Sequence, residues 1–237
     1  GLILENKKVI TNKLLKCGAT IHEINCIRKH LSAIKGGRLA VACSPAPLLT
    51  LTISDVPGDD LSVIASGPTV ADPSTFEDAL KIITKYDISE PKSVLKHLEN
   101  AVDETPKPGD SLLQNVENHL IATPKQSLRA AAQAVTDAGM TPLILGDSLE
   151  GESRDASKMH SETALQIQKN GTPVSPPAVI LSGGETSVTV KGSGRGGPNT
   201  EFMLSLLKEL RGQDGIWAIA CDTDGIDGTE DNAGAFI

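Results

Sequence analysis

Aromatic residues are scarce in this 237-residue chain: three Phe, one Trp and one Tyr make up 2% of it. Its 39% of apolar residues must therefore build an aliphatic interior of Ala, Leu, Ile and Val, as α/β proteins do. Positive charge is also short. Lys and Arg number 22 against 30 Asp and Glu, a formal net charge of −8. That balance argues against a nucleic-acid or membrane-surface partner, and an anionic ligand would need local donors to hold it against the overall field. No run of eighteen apolar residues occurs, so no membrane-spanning helix is expected. Cysteine pairs with C-x-x-C spacing are missing too. Cys17, Cys26, Cys43 and Cys221 fall in apolar or helical patterns and are expected to be reduced, buried and in a cytoplasmic setting. The chain opens on Gly1 with no signal peptide, and Ala233–Ile237 reads as the start of an unfinished element. Both ends are expected to be cut. The length allows one large domain or two small ones.

What the chain has in abundance is glycine, concentrated between Leu181 and Glu201. An apolar run, Ala178–Leu181, stops at Ser182-Gly-Gly184. The alternating segment Ser187–Lys191 predicts a short strand, and a second cluster, Gly192-Ser-Gly-Arg-Gly-Gly197, leads past Pro198 into helical spacing. A glycine turn that opens a helix lets backbone N–H groups converge where the helix adds partial positive charge, which is what phosphate binding requires. Plain hairpins use such turns as well, and both readings stay open.

Elsewhere the pattern alternates helices and strands. Helical spacing covers residues 3–16. Thr20-Ile-His-Glu23 is a capping box that opens a second helix, which ends at Lys35-Gly-Gly-Arg38. The two cations there either suit the helix C-terminus or clamp an anion. Leu48–Ile53 predicts a buried strand that delivers Ser54-Asp-Val-Pro-Gly-Asp-Asp60. Three carboxylates there suit a hydrated Mg²⁺, or a polar turn with Asp60 as a cap. A further polar turn is Ala65-Ser-Gly-Pro-Thr69. Ser74-Thr-Phe-Glu77 reads as another capping box, Pro91 as a helix start, and residues 103–110 as a linker. Strand 118–123, helix 124–138 and strand 141–145 read as a βαβ unit with parallel pairing. A long helix reaches about Asn170. The final strand, Ile216–Cys221, enters an acidic loop that fails the EF-hand spacing, although Asp222, Asp224 and Asp227 could hold a metal or a substrate hydroxyl.

Several blocks in series then resemble one family. They are Gly18-Ala-Thr-Ile-His-Glu-Ile-Asn25, Arg28 through Ala40, Ser54 through Asp60, Ala65 through Thr69, Leu181-Ser-Gly-Gly-Glu-Thr186, Gly194 through Phe202, and Thr223-Asp-Gly-Ile-Asp-Gly228. The chain resembles the type II glycerate 2-kinases, whose C-terminal part is the MOFRL domain. The resemblance implies two α/β domains with mixed or parallel sheets around an interdomain cleft. Residues 1–110 would be part of the N-terminal kinase-type region, and 111–237 an α/β region in which the MOFRL domain starts near 177. It also implies ATP- and Mg²⁺-dependent phosphorylation of D-glycerate to 2-phosphoglycerate. Homo-oligomer formation is left open. Members are often labelled hydroxypyruvate reductases, so that activity is the alternative, and a catalytically incomplete anion-binding fragment is a third. Against reduction, no strand–G-x-G-x-x-G–helix unit with its ribose-binding acid is read here.

Carried over by motif position, Arg195, Lys35 and Asp224 are the expected catalytic residues. Arg195 and the N–H groups of Gly196 and Gly197 would face phosphate, and Lys35 with Arg38 would hold the glycerate carboxylate or nucleotide phosphates. Asp55 and Asp222 are the expected metal ligands, with Asp224 an alternative to Asp222 or the acceptor of the substrate proton. Ser182, Glu185 and Asn199 would orient the triose hydroxyls, and His30 is a candidate contact; the other histidines are expected on surfaces or helix faces. Two departures stand out. Family members begin with a further α/β segment bearing a Gly-Lys-Ala turn, and many have Arg where this chain has Pro198.

Overall fold

The computed structural model describes residues 2–56, 58–229 and 231–237, so Pro57 and Glu230 of the two acidic loops lie outside the described residues. The chain divides into two compact units, Gly1–Ile121 and Ala122–Ile237.

In the first unit, helices α1 (Leu4–Lys16) and α2 (Ile21–His30) are followed by a short α3 (Arg38–Cys43) and strand β1 (Leu48–Ile53). Helices α4 (Phe76–Lys85) and α5 (Lys92–Asn100) and strand β2 (Val116–Ala122) complete it. The capping box at Thr20 forms as expected: the Glu23 N–H donates to Thr20 Oγ1 at 3.3 Å, and the Thr20 N–H to Glu23 Oε2 at 2.9 Å. The second box sits one residue later than expected. Thr75 and Asp78 make it, while Ser74 donates to Asp72 instead. Ile10, Leu14, Ile27, Phe76, Ala79, Val94 and Leu98 form an apolar core, aliphatic but for Phe76, between α1, α2, α4 and α5. Spacing of three and four residues puts each helix's apolar stripe on that side.

Strand β1 departs from the expectation of burial. It alternates, with Leu49, Leu51 and Ile53 exposed and Leu48, Thr50 and Thr52 half-buried. The pleat sends neighbours to opposite faces, and no described element covers the leucine face. Strand β1 pairs with β2. The βαβ unit expected from strand 118–123 therefore forms one strand later in the chain.

The second unit holds helix α6 (Pro124–Asp137), strand β3 (Thr141–Glu152), helix α7 (Ser153–Asn170) and strand β4 (Ala178–Ser187). Strands β3 and β4 are parallel, from Thr141 opposite Ala178 to Glu152 opposite Ser187. Gly184 is required at a register shift: it has φ +146°, and a Cβ would lie 2.2 Å from the Leu149 carbonyl oxygen. Strand β4 runs on to Ser187, where the separate strand expected over 187–191 would begin. Helix α8 (Pro198–Leu210) packs Met203, Leu206 and Leu210 against Leu165, Ile216 and Ala218. Strands β5 (Ile219–Cys221) and β6 (Gly234–Phe236) form an antiparallel pair. Among the described residues all four cysteines are free thiols, and only Cys26 is buried. The expectation of four buried cysteines is thus corrected for Cys17 and Cys221, which are exposed, and for half-buried Cys43. No helix of the described residues is long and apolar enough to cross a membrane.

Candidate functional site

Two polar loops of the first unit are locked together. The Gly36 N–H donates to the Ser66 carbonyl at 3.0 Å and the Gly37 N–H to the Gly67 carbonyl at 2.8 Å. Lys35 Nζ donates to the Ala65 carbonyl at 2.5 Å. Ala65, Ser66 and Gly67 are consecutive left-handed residues, with φ of 51°, 60° and 59°. Two of them carry a Cβ, and such a conformation costs roughly 1–2 kcal/mol for each. The surroundings impose it: buried Ser66 donates to Asn25 Oδ1 at 2.9 Å. Gly37 has φ +81°, and a Cβ there would sit 2.6 Å from Pro106. Strain held this firmly concentrates at sites where backbone geometry matters more than stability.

The expected cations differ in availability. Burial, and then the charge of Arg28, lowers the Lys35 ammonium below the ordinary lysine value. Arg38 is not presented to a ligand as expected. Its guanidinium is bonded to the Asp103 carboxylate and carbonyl, because the linker after α5 brings an acid onto it. His30 is also corrected. It is buried, its Nδ1 donating to the Cys26 carbonyl at 2.8 Å and its Nε2 lying 2.9 Å from Glu104 Oε1, with Phe76 edge-on to its ring. Burial pushes Glu104 up, but the Phe76 and Thr105 N–H groups, Lys107 and His30 outweigh it and bring Glu104 to about 2. Asp55 is exposed at the end of β1, after buried Ser54.

In the second unit the start of α8 is the centre. Asp227 is fully buried, and its carboxylate accepts from the Asn199 N–H (Oδ1, 2.9 Å) and the Thr200 N–H (Oδ2, 2.9 Å). The Gly197 N–H donates to Thr200 Oγ1 at 2.8 Å. A Cβ on Gly197 would fall 2.4 Å from Asp227, so only glycine lets the loop close over it. The helix N-terminus expected to bind phosphate is therefore filled by the protein's own anion. This corrects the roles of the Gly197 N–H, which is spent, and of Asp227, which is a cap. Asn199 reaches Asp222 instead, donating through Nδ2 to Oδ2 at 2.8 Å. Burial raises the Asp222 pKa, Asn199 opposes this, and Asp227 and Asp224 add to the rise. Exposed Asp224 accepts the Ile226 N–H at 2.9 Å, a local turn. Arg195 is exposed on the loop before α8, and Glu185 is exposed on β4. Among the described residues no group of three His, Cys, Asp or Glu is placed to hold a metal.

Ser182 has a partner that residue spacing did not reveal. It donates to His160 Nε2 at 2.8 Å, while His160 Nδ1 donates to the Ala156 carbonyl at 2.7 Å. Phe202 is edge-on to the ring at 5.1 Å. Burial lowers the His160 pKa, so the imidazole is held neutral and Ser182 keeps its lone pairs for a ligand. A helix-face position for His160 was expected; the 22-residue separation hid the pairing. Because the folded-state pKa lies below the unfolded value of about 6.5, the stability tied to this group is complete above that pH and lost as pH falls through the folded pKa. Melting temperature measured from pH 7.5 to 5 should fall less steeply for His160→Gln than for the unsubstituted protein.

The architecture is a two-unit α/β protein with polar loops at strand ends and a capped, glycine-led helix. A domain of unknown function (DUF4147) matches residues 1–99, and the MOFRL family model matches residues 178–237. A relative from Agrobacterium vitis with a provisional hydroxypyruvate reductase name is 55% identical over 100% of this chain and 53% of its own length. The glycerate kinase of Macaca fascicularis is 33% identical over 99% of this chain and 69% of its own. The D-glycerate 2-kinase of Thermotoga maritima is 42% identical over 100% of this chain and 55% of its own. A crystal structure of glycerate kinase from that organism matches with a TM-score of 0.87 at 42% identity, covering 100% of this chain and 55% of that one. The chain belongs to the glycerate kinase family that carries the MOFRL region. It spans about half the length of the first of these relatives and 69% of the macaque protein.

Proposed function

We propose that the protein phosphorylates D-glycerate with ATP, giving 2-phosphoglycerate. The observation that supports this reading is the likeness of the whole chain to 55% of a glycerate kinase structure. Phosphoryl transfer asks for positioning and charge neutralisation rather than a covalent nucleophile. Arg195, on its exposed loop, neutralises the phosphoryl group in transit. Lys35 holds an anionic group of substrate or nucleotide beside the locked loops. Asp222 is a better proton acceptor for the substrate hydroxyl than Asp224, since its pKa is raised and its partner Asn199 holds it in place. Ser182 and Glu185 contact the triose hydroxyls. Mg²⁺ prefers one or two carboxylates plus phosphate oxygens, so in this reading it would come with the nucleotide and take Asp55 as its protein ligand, leaving Asp222 as the proton acceptor.

The reductase name of the Agrobacterium relative supports a second reading. The run Gly192-Ser-Gly-Arg-Gly-Gly197 has G-x-G-x-x-G spacing and opens α8, with β4 ending before it at Ser187. A pyrophosphate would need the α8 N-terminus, however, and Asp227 occupies it. Kinase is therefore preferred. Full-length protein given D-glycerate with ATP, and separately hydroxypyruvate with NADH or NADPH, should form ADP in the first assay and leave the reduced cofactor untouched in the second. Cofactor oxidation without ADP would reverse the choice.

A further inference from the structure

Asp72 belongs to no motif read from the sequence, yet it has 0% exposure and gathers three segments of the first unit. Its Oδ1 accepts from Lys29 Nζ of α2 at 3.3 Å, and from the Ser74 N–H and hydroxyl at 3.1 and 2.7 Å. Its Oδ2 accepts from Thr105 Oγ1 at 3.1 Å, and its own N–H donates to the Pro106 carbonyl at 2.9 Å. The Lys29 side chain is buried as well, so both charges of the pair are out of water. Such a pair adds little to stability, because desolvation offsets the attraction.

What the pair meets is Gly36. A Cβ there would fall 3.1 Å from Lys29 Cβ, 3.1 Å from Thr105 Cγ2 and 3.3 Å from Asp72 Oδ2, and one on Gly37 would fall 2.6 Å from Pro106. The turn from Lys35 to Arg38 is therefore held twice, by hydrogen bonds to the Ala65–Gly67 loop and by packing against residues 103–107. That second segment, expected to be part of a linker, is itself fastened. Glu104 accepts the Phe76 and Thr105 N–H groups at 3.0 and 2.8 Å, and Lys107 donates to Thr105 Oγ1 at 2.9 Å.

We propose that Asp72 is a positioning residue: through Thr105 and Pro106 it clamps residues 103–107 against Gly36 and so sets where Lys35 stands. The proposal rests on the kinase reading for what Lys35 does; how the turn is held does not depend on it.

Asp72→Ala would leave the buried Lys29 charge unpaired and risks unfolding the unit, so the test uses Thr105→Val, which keeps the shape and removes the hydroxyl bonded to Asp72. In ligand-free full-length protein, amide exchange followed by NMR should quicken at Gly36 and Gly37 by roughly 5- to 10-fold, the factor that one buried hydrogen bond supplies. The Ala79 and Ile83 amides of the core should keep their rates. Asp72→Asn/Lys29→Met removes both charges, should melt near the temperature of the unsubstituted protein, and should show the same faster exchange. In the ADP assay, KM for D-glycerate or ATP, whichever group Lys35 holds, should rise by a similar factor in Thr105→Val, with kcat within about twofold. Ile83→Val, a smaller side chain in the same core, should lower the melting temperature and leave the Gly36 and Gly37 rates and both KM values as they were. Exchange at Gly36 and Gly37 that is unchanged in Thr105→Val, or that rises no more than in Ile83→Val, overturns the proposal. So do unmoved KM values in an enzyme that forms ADP. Unsubstituted protein that forms no ADP sinks the kinase reading instead, and the exchange rates then decide on Asp72 alone.

Discussion

Replacing Arg195 with Ala should lower kcat for glycerate phosphorylation by ~10²-fold or more, the usual loss when one charge-stabilising donor is removed. The argument comes from what the neighbouring loop can no longer offer. The Asn199 and Thr200 N–H groups point at Asp227, and the Gly197 N–H at Thr200. Charge neutralisation next to α8 then falls to a side chain, and Arg195 is the guanidinium in that loop. Pro198, the first residue of α8, carries no charge. Arg195→Lys should recover part of the rate, since an ammonium keeps the charge but loses the fork. A role in the transition state alone lowers kcat and kcat/KM together, whereas a rise in KM with kcat intact would point to simple substrate binding. A kcat close to that of the unsubstituted enzyme would remove Arg195 from the mechanism.

Asp227→Ala should destabilise the second unit by about 2–4 kcal/mol, from lost charge-assisted hydrogen bonds and two buried N–H groups left unpaired. The carboxylate has 0% exposure and holds the first turn of α8, whose Met203, Leu206 and Leu210 supply much of that unit's core. Its position at a helix N-terminus adds a favourable interaction with the helix dipole. Asp227→Asn keeps the shape and one acceptor, so its loss should be intermediate. Urea unfolding followed by circular dichroism measures both. A drop below about 0.5 kcal/mol for the alanine variant would mean that the N–H groups find water or another acceptor, as at an ordinary exposed position.

Helix α1, the Thr20–Glu23 box and the Pro198 start of α8 were legible because each depends on residues within four of one another. The Thr75 box was misplaced by one residue, because Ser74 and Thr75 are both hydroxyl caps and only buried Asp72 draws Ser74 away. The loops around Lys35, Ala65 and Asn199 were legible as polar, glycine-bearing turns. Their bonding was not. Arg38 pairs with Asp103 across 65 positions, and Asp227 caps α8 from 28 positions away. Such pairings depend on how the chain returns, which no local pattern records.

By itself, the sequence determined an aliphatic α/β protein, the start of most helices and the family to which the chain belongs. Tertiary structure alone decided which polar groups remain available: it spent the α8 N-terminus on Asp227 and Arg38 on Asp103, paired Ser182 with His160, and brought Asp72 against Gly36. The physical reason is that helix propensity and capping act within a turn or two of chain. Hydrogen-bond satisfaction and charge pairing in a buried setting are settled by whichever partner the fold brings within about 3 Å.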